Sequence, residues 1–129
     1  MSTASVAVIE GHATLRSYYA VLRGGADAYQ DGRDLLPLLA DDFVFEGPIA
    51  GRLAGGTRFA QGVRGFIENV KGIAVLQAVS GEGGAAVLYD AELPGGAVRF
   101  SEFFEFDGDK IRELRTQYDA ADYLAKGGR

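Results

Sequence analysis

The order of signals along the chain predicts an α+β domain. Amphipathic helical stripes fill most of the first half, four strand-like runs fill the second, and Gly- or Pro-marked turns separate those runs. Helices first and an antiparallel meander afterwards place the helices over one face of a sheet, unlike the alternation of a parallel βαβ series. The 129 residues show no repeat and no internal linker, so one domain over residues 1–129 is expected.

Residues 1–12 lack a positively charged start, and their apolar run Val6–Ile9 is too short for a signal-peptide core. A loose arm or a short leading strand is expected there. From Ala13 to Tyr29 the residues Leu15, Tyr19, Leu22, Ala26 and Tyr29 recur at steps of three and four, which is one face of a helix. Gly24 and Gly25 interrupt this stripe; at about 1 kcal/mol each relative to alanine, they predict a kink or a close approach of backbones. Asp34 is placed to cap a short helix over Leu35–Ala40, with Pro37 in its first turn.

Phe43–Glu46 reads as a strand stopped by Gly47-Pro48, and Gly51, Gly55 and Gly56 mark an irregular loop. A further helix starts at Gly56 or Thr57, carries Phe59, Val63, Phe66, Ile67 and Val70 on one face, and ends at Lys71-Gly72. Strands are then predicted at Ile73–Val79, Ala85–Leu93, Val98–Phe106 and Ile111–Tyr118. Their turns are Gly81–Gly84, Pro94-Gly95-Gly96 and Asp107-Gly108-Asp109, and one helical turn closes over Ala120–Leu124.

Composition narrows the function classes. The formal net charge is −5 and the thirteen Lys and Arg are scattered, so phosphate backbones and anionic membranes are repelled and neither nucleic acid nor membrane is an expected partner. Cysteine is absent, which removes disulfides, thiolate nucleophiles and sulfur-bound metals and makes the cytoplasm the default location. His12 is the single histidine and reads as a solvated residue ahead of the first helix, so no metal and no cofactor are expected. The Gly62-Val63-Arg64-Gly65 glycines fall inside a helix and make no phosphate cradle; Ser80 and Ser101 lack the context of a nucleophile elbow. What remains is an apolar fraction of 47% with six Tyr and eight Phe, enough aromatic surface to line a cavity as well as a core.

Glu102 is the most informative residue. Strand alternation groups it with Val98, Phe100, Phe104 and Phe106 and puts Arg99, Ser101 and Glu105 on the other face, so a carboxylate stands alone among apolar side chains. If Gly95-Gly96 is a two-residue turn, Tyr89 lies directly across from Glu102; if Gly108-Asp109 is another, Arg115 lies across on the other side. The row Tyr89, Glu102, Arg115 holds only if neither hairpin carries a bulge. The same parity brings Gln117 beside Phe100 and Asp119 beside Val98. An apolar cavity with a few converging polar groups is the usual composition of a small-molecule site.

Glu102 and Asp119 are therefore the acid/base candidates, with Tyr18, Tyr19, Glu46, Tyr89, Phe100, Phe104, Arg115 and Gln117 as ligand contacts. Structural alternatives stand beside each. Glu102 and Arg115 could form a cross-strand ion pair, Asp119 is well placed to cap the last helix, Tyr18 and Tyr19 could be core, and Glu46 could be a strand-end carboxylate. A cavity plugged by Phe59, Phe100 and Phe104 would speak for a non-catalytic module; an open one with Glu102 on its wall would speak for a ligand site.

Leu39-Ala40-Asp41-Asp42-Phe43-Val44-Phe45-Glu46-Gly47-Pro48, a helix after a glycine loop, and Phe106-Asp107-Gly108-Asp109-Lys110-Ile111 leading to Gln117-Tyr118-Asp119 resemble the SnoaL-like branch of the nuclear-transport-factor-2-like superfamily over nearly the whole chain. The resemblance implies helices on the concave face of a strongly curved, mainly antiparallel sheet, a cone-shaped and barrel-like fold, with homodimers through the sheet's outer face. It implies activity only loosely, because the superfamily holds isomerases, cyclases, hydrolases and binding modules. An isomerase-like aspartate base before Pro48 is replaced by Gly47, whereas the isomerase's oxyanion-hole acid falls on Glu102. The Arg-x-Asp pair of epoxide-hydrolase-like relatives has no arginine at Tyr89-Asp90-Ala91. Asp119 resembles the late-strand acid of polyketide cyclases, without their histidine.

The function expected is binding of a small, largely apolar organic molecule, with proton transfer next to a carbonyl as the enzymatic form and a dimerisation or ligand-holding module as the alternative. The outer face, read as Leu88, Phe103, Leu114, Thr116 and Tyr118 among Arg99 and Glu105, has no helix left to cover it and is expected to pair with its copy.

Overall fold

The computed structural model describes residues 2–129. Its elements are α1 (Thr3–Glu10), α2 (Ala13–Arg23), α3 (Ala26–Tyr29), two single 3-10 turns, β1 (Leu39–Gly47), β2 (Gly51–Ala54), α4 (Gly56–Asn69), β3 (Gly72–Gly81), β4 (Gly84–Leu93), β5 (Gly96–Asp107), β6 (Lys110–Gln117) and α5 (Ala120–Ala125). The α+β class stands: helices cover one face of a six-stranded sheet in the order β2-β1-β6-β5-β4-β3. The sheet is mixed, because β1 runs parallel to β6 while every other pair is antiparallel. It is also open, a correction to the barrel-like expectation. The edges β2 and β3 lie at opposite ends of the strand order and the helices occupy the face between them.

Alternation supplies the inner face. Tyr89 and Ala91 of β4, Val98, Phe100, Glu102 and Phe104 of β5, and Leu114 and Thr116 of β6 are all buried there. Leu15, Tyr18, Tyr19 and Leu22 of α2 and Phe59, Val63 and Ile67 of α4 bury against them, on the helical spacing that the sequence shows. The predicted kink is present: α2 ends at Gly24, and Gly25 takes a φ of +83°, a conformation that side chains resist, before α3 begins.

Three expectations change. Residues 3–10 form a helix, where an arm or a strand was expected. Ser2 accepts from the Ser5 amide at 3.1 Å and caps it, and the Ser5 hydroxyl accepts from the Ala78 amide at 3.0 Å. Since β3 is an edge strand, its outward amides need partners, and α1 supplies one that local sequence cannot reveal. The predicted helix over Leu35–Ala40 is only a 3-10 turn at Leu36–Leu38, and Asp34 makes no cap. Leu39 pairs with Ile111, so the sheet claims the chain four residues ahead of Phe43. Finally, the glycine-rich loop contains β2, which pairs Gly47 with Gly51 and Val44 with Ala54. Among the described residues no helix is long and apolar enough to cross a membrane.

Candidate functional site

Between the inner face of the sheet and helices α2 and α4 lies a cavity of about 230 Å³. Its wall is almost wholly apolar. Phe45, Phe59, Phe66, Phe100, Tyr118 and Tyr123 supply aromatic surface, Ile49 and Leu53 of the β1–β2 hairpin border it, and Glu102 lies on the wall with Tyr18, Tyr89 and Thr116. Phe59 and Phe100 line this space without plugging it, and Phe104 is turned behind Tyr18, with ring centroids 5.4 Å apart.

Two register details decide which polar groups reach Glu102. In the β4–β5 hairpin, Leu93 pairs with Gly96, so the two-residue turn is Pro94-Gly95, one residue earlier than expected. Glu102 then lies across from Val87, and Tyr89 across from Phe100. The shift of two keeps Tyr89 on the same face as Glu102, one diagonal step away. In the β5–β6 hairpin, Phe106 pairs with Ile111 but Glu105 pairs with Glu113, which leaves Arg112 as the extra residue of a bulge. Beyond it every side chain of β6 changes face.

The bulge reverses the expected row. Thr116, not Arg115, lies across from Glu102. Arg115 is on the outer face, 3.1 Å from Glu105, within a ladder that runs from Glu46 through Arg52 and Glu113 to Arg115, Glu105 and Arg112. Gln117 pairs with Ser101 and is exposed. Glu46 belongs to the same ladder, 3.3 Å from Arg52, and does not reach the cavity. Asp119 caps α5, its carboxylate accepting from the Asp122 amide at 2.9 Å, and is likewise outside the wall. Of the ten residues proposed from sequence, the structure gathers Glu102, Tyr18, Tyr89 and Phe100 at the cavity, places Tyr19 and Phe104 immediately behind it, and sends the other four elsewhere.

Glu102 is 3% exposed. The Tyr19 hydroxyl donates to its Oε1 at 2.9 Å and the Thr116 hydroxyl donates to its Oε2 at 2.7 Å. Burial raises the pKa of the carboxyl from its ordinary value, and hydrogen bonds from Thr116, Tyr19, Tyr89 and Tyr18 pull against that rise without cancelling it. The same burial, followed by the charge of Glu102, holds the Tyr18, Tyr19 and Tyr89 phenols well above their usual value, so they are donors and not anions. Tyr19 is fully buried and works by holding Glu102, not by touching the cavity. Thr116 and the Phe66, Tyr118 and Tyr123 rings are site residues that the sequence reading did not assign. The helical stripe could have yielded Phe66; Thr116 and Tyr118 depend on the bulge.

No family model and no curated protein matches the chain. Among solved structures it is similar to a protein from Kribbella flavida at 24% identity, over 89% of this chain and 91% of that one, with a TM-score of 0.77. It is similar to a steroid delta-isomerase from Pseudomonas aeruginosa at 19% identity, over 88% and 82%, with a TM-score of 0.70. A de novo designed protein with a curved β-sheet matches at 17% identity, over 97% and 93%, also with a TM-score of 0.70. The fold is therefore the nuclear-transport-factor-2-like one, shared by many solved structures at low identity. A designed protein carries it as fully as an isomerase does, so chemistry has to be argued from the cavity itself.

Proposed function

We propose that this chain binds a small, largely apolar organic molecule in the cavity and that Glu102 exchanges a proton with it next to a carbonyl. The supporting observation is Glu102 itself: a carboxyl on an apolar wall, held from behind by Tyr19 and Thr116. A raised pKa suits a carboxyl that must give as well as take a proton. Tyr18 and Tyr89, which stay protonated, would turn their single hydroxyl protons from Glu102 to a carbonyl oxygen of the ligand beside it. Asp119 has no part in this reading. With Glu102 as the one Asp or Glu on the wall among the described residues, a single group would shuttle the proton, and reactions needing a separate acid and base are disfavoured. That same economy favours the second reading, a ligand-holding module without turnover.

The test is a thermal-shift screen of apolar carbonyl compounds, followed by titration of the wild type and Glu102→Gln with any hit. The variant keeps the shape and strands no cation, since Arg115 is elsewhere; stability is expected to stay within about 1 kcal/mol while affinity falls at least about tenfold. Unchanged affinity in a folded variant would make Glu102 architecture.

Dimerisation through the sheet's outer face is proposed on a smaller patch than the sequence indicated. Leu114, Thr116 and Tyr118 have turned inward with the bulge, but Phe103 remains 47% exposed and Val79 52% exposed beside Leu88. Sedimentation is expected to show a dimer at about tens of micromolar, weakened by Phe103→Glu; a clean monomer at that concentration removes the idea.

A further inference from the structure

The donors around Glu102 suit its ionised form, and the compensating charge is missing. Each carboxylate oxygen accepts a hydroxyl, from Tyr19 at 2.9 Å and from Thr116 at 2.7 Å. The phenols of Tyr18 and Tyr89 add to this set. Two hydroxyls can donate to both oxygens of a carboxylate at once, whereas beside a neutral carboxyl one of them has to turn and accept its proton. Yet among the described residues no Lys, Arg or His makes an ion pair with Glu102, although the outer face holds a whole ladder of such pairs. Burial outweighs the hydroxyls and raises the pKa of the carboxyl. The ionised form lacks one positive charge at the cavity side of the carboxyl.

The wall is suited to carry such a charge. Phe45, Phe59, Phe66, Phe100, Tyr118 and Tyr123 present rings around the space, and aromatic faces attract cations most strongly where water is excluded. Among the described residues the one other charged residue on the wall, Arg129, is exposed to solvent. We propose that the molecule bound here carries a basic nitrogen, an apolar ammonium ion whose N–H groups meet the Glu102 carboxylate while its hydrocarbon part fills the aromatic cavity. This rests on the cavity being the ligand site and does not require turnover.

Binding then has a proton balance that a neutral ligand lacks. Burial shifts Glu102 toward its acid form, the ammonium arrives already protonated, and the pair that forms is carboxylate with ammonium, so whatever proton Glu102 carries is released to solvent. A neutral carbonyl compound or alcohol releases none. Affinity for the amine should accordingly rise with pH as Glu102 loses its proton, and fall again only when the amine itself deprotonates.

The experiment is calorimetric titration of the full chain with naphthylmethylamine, naphthylmethanol, acetonaphthone and naphthoate, in two buffers of different ionisation enthalpy. Expected is a preference of about tenfold or more for the amine over the alcohol and the ketone, with proton release for the amine alone. In Glu102→Gln the preference should vanish while the alcohol still binds within about threefold of wild type. Phe66→Leu, which leaves the carboxyl in place, should weaken the amine more than the alcohol. An amine that binds no better than the alcohol, a preference that survives in Glu102→Gln, or naphthoate matching the amine overturns the inference while leaving the cavity as a ligand site. Failure of all four probes overturns both.

Discussion

Phe100→Ala is expected to cost about 3–5 kcal/mol in a urea melt. Phe100 is 3% exposed and holds four rings at once. It stacks on Tyr89 with centroids 5.2 Å apart and on Tyr118 at 4.5 Å, and it meets Phe66 and Tyr123 edge-on at 5.6 and 5.8 Å. Truncation removes the shared partner of β4, α4 and the segment leading into α5, and the void it leaves joins a cavity that already exists. Because the surrounding strands are tied by ladder hydrogen bonds, little collapse can recover the loss. The denaturation midpoint should fall with an unchanged slope. A loss under about 1.5 kcal/mol would mean that the stack does not hold the wall in place, and the cavity's shape would need another origin. Since the same ring lines the cavity, any loss of ligand affinity in this variant reports the collapse of the wall as well as a lost contact.

That dual use of core residues explains which parts of the molecule were legible in the sequence. Periodicity alone placed α2, α4 and the four strands of the meander, because their apolar stripes report burial wherever the chain eventually docks. It isolated Glu102 for the same reason: alternation within one strand needs no partner. Contacts between strands need register, and register turned on two single residues. Pro94-Gly95-Gly96 allows either of two turns, and the choice moved Tyr89 from directly opposite Glu102 to the diagonal. The extra residue at Arg112 carries no glycine signal, yet it sent Arg115 and Gln117 outward and brought Thr116 and Tyr118 in. A one-residue slip exchanges the two faces of everything beyond it. Elements held by distant partners were illegible for a related reason. Helix α1 rests on the edge of β3 through Ser5 and Ala78, β1 is drawn out toward Leu39 by Ile111, and β2 exists only as a partner of β1.

The pH dependence of stability is where the buried carboxyl and the bulge meet. Burial raises the pKa of Glu102 in the folded chain above its ordinary value of 4.5, so the folded state binds the proton more tightly than the unfolded state. Its contribution to stability is therefore fully present below the ordinary value and is lost as pH rises through the folded one. Glu102→Gln has no such titration, and wild type should lose stability relative to it as pH increases. Thr116→Val removes the donor to Oε2 with almost no change in shape. A hydrogen bond to an ionised group contributes about 1.5–3 kcal/mol and one between neutral groups about 1 kcal/mol, so the cost of Thr116→Val should grow with pH across the same window. Urea melts of wild type, Glu102→Gln and Thr116→Val over a series of pH values measure both effects. A difference between wild type and Glu102→Gln that stays flat would place the carboxyl at its ordinary pKa. A flat cost for Thr116→Val would mean that the bulge does not bring this hydroxyl to the carboxylate, and the assembly of the site from β5 and β6 would fail with it.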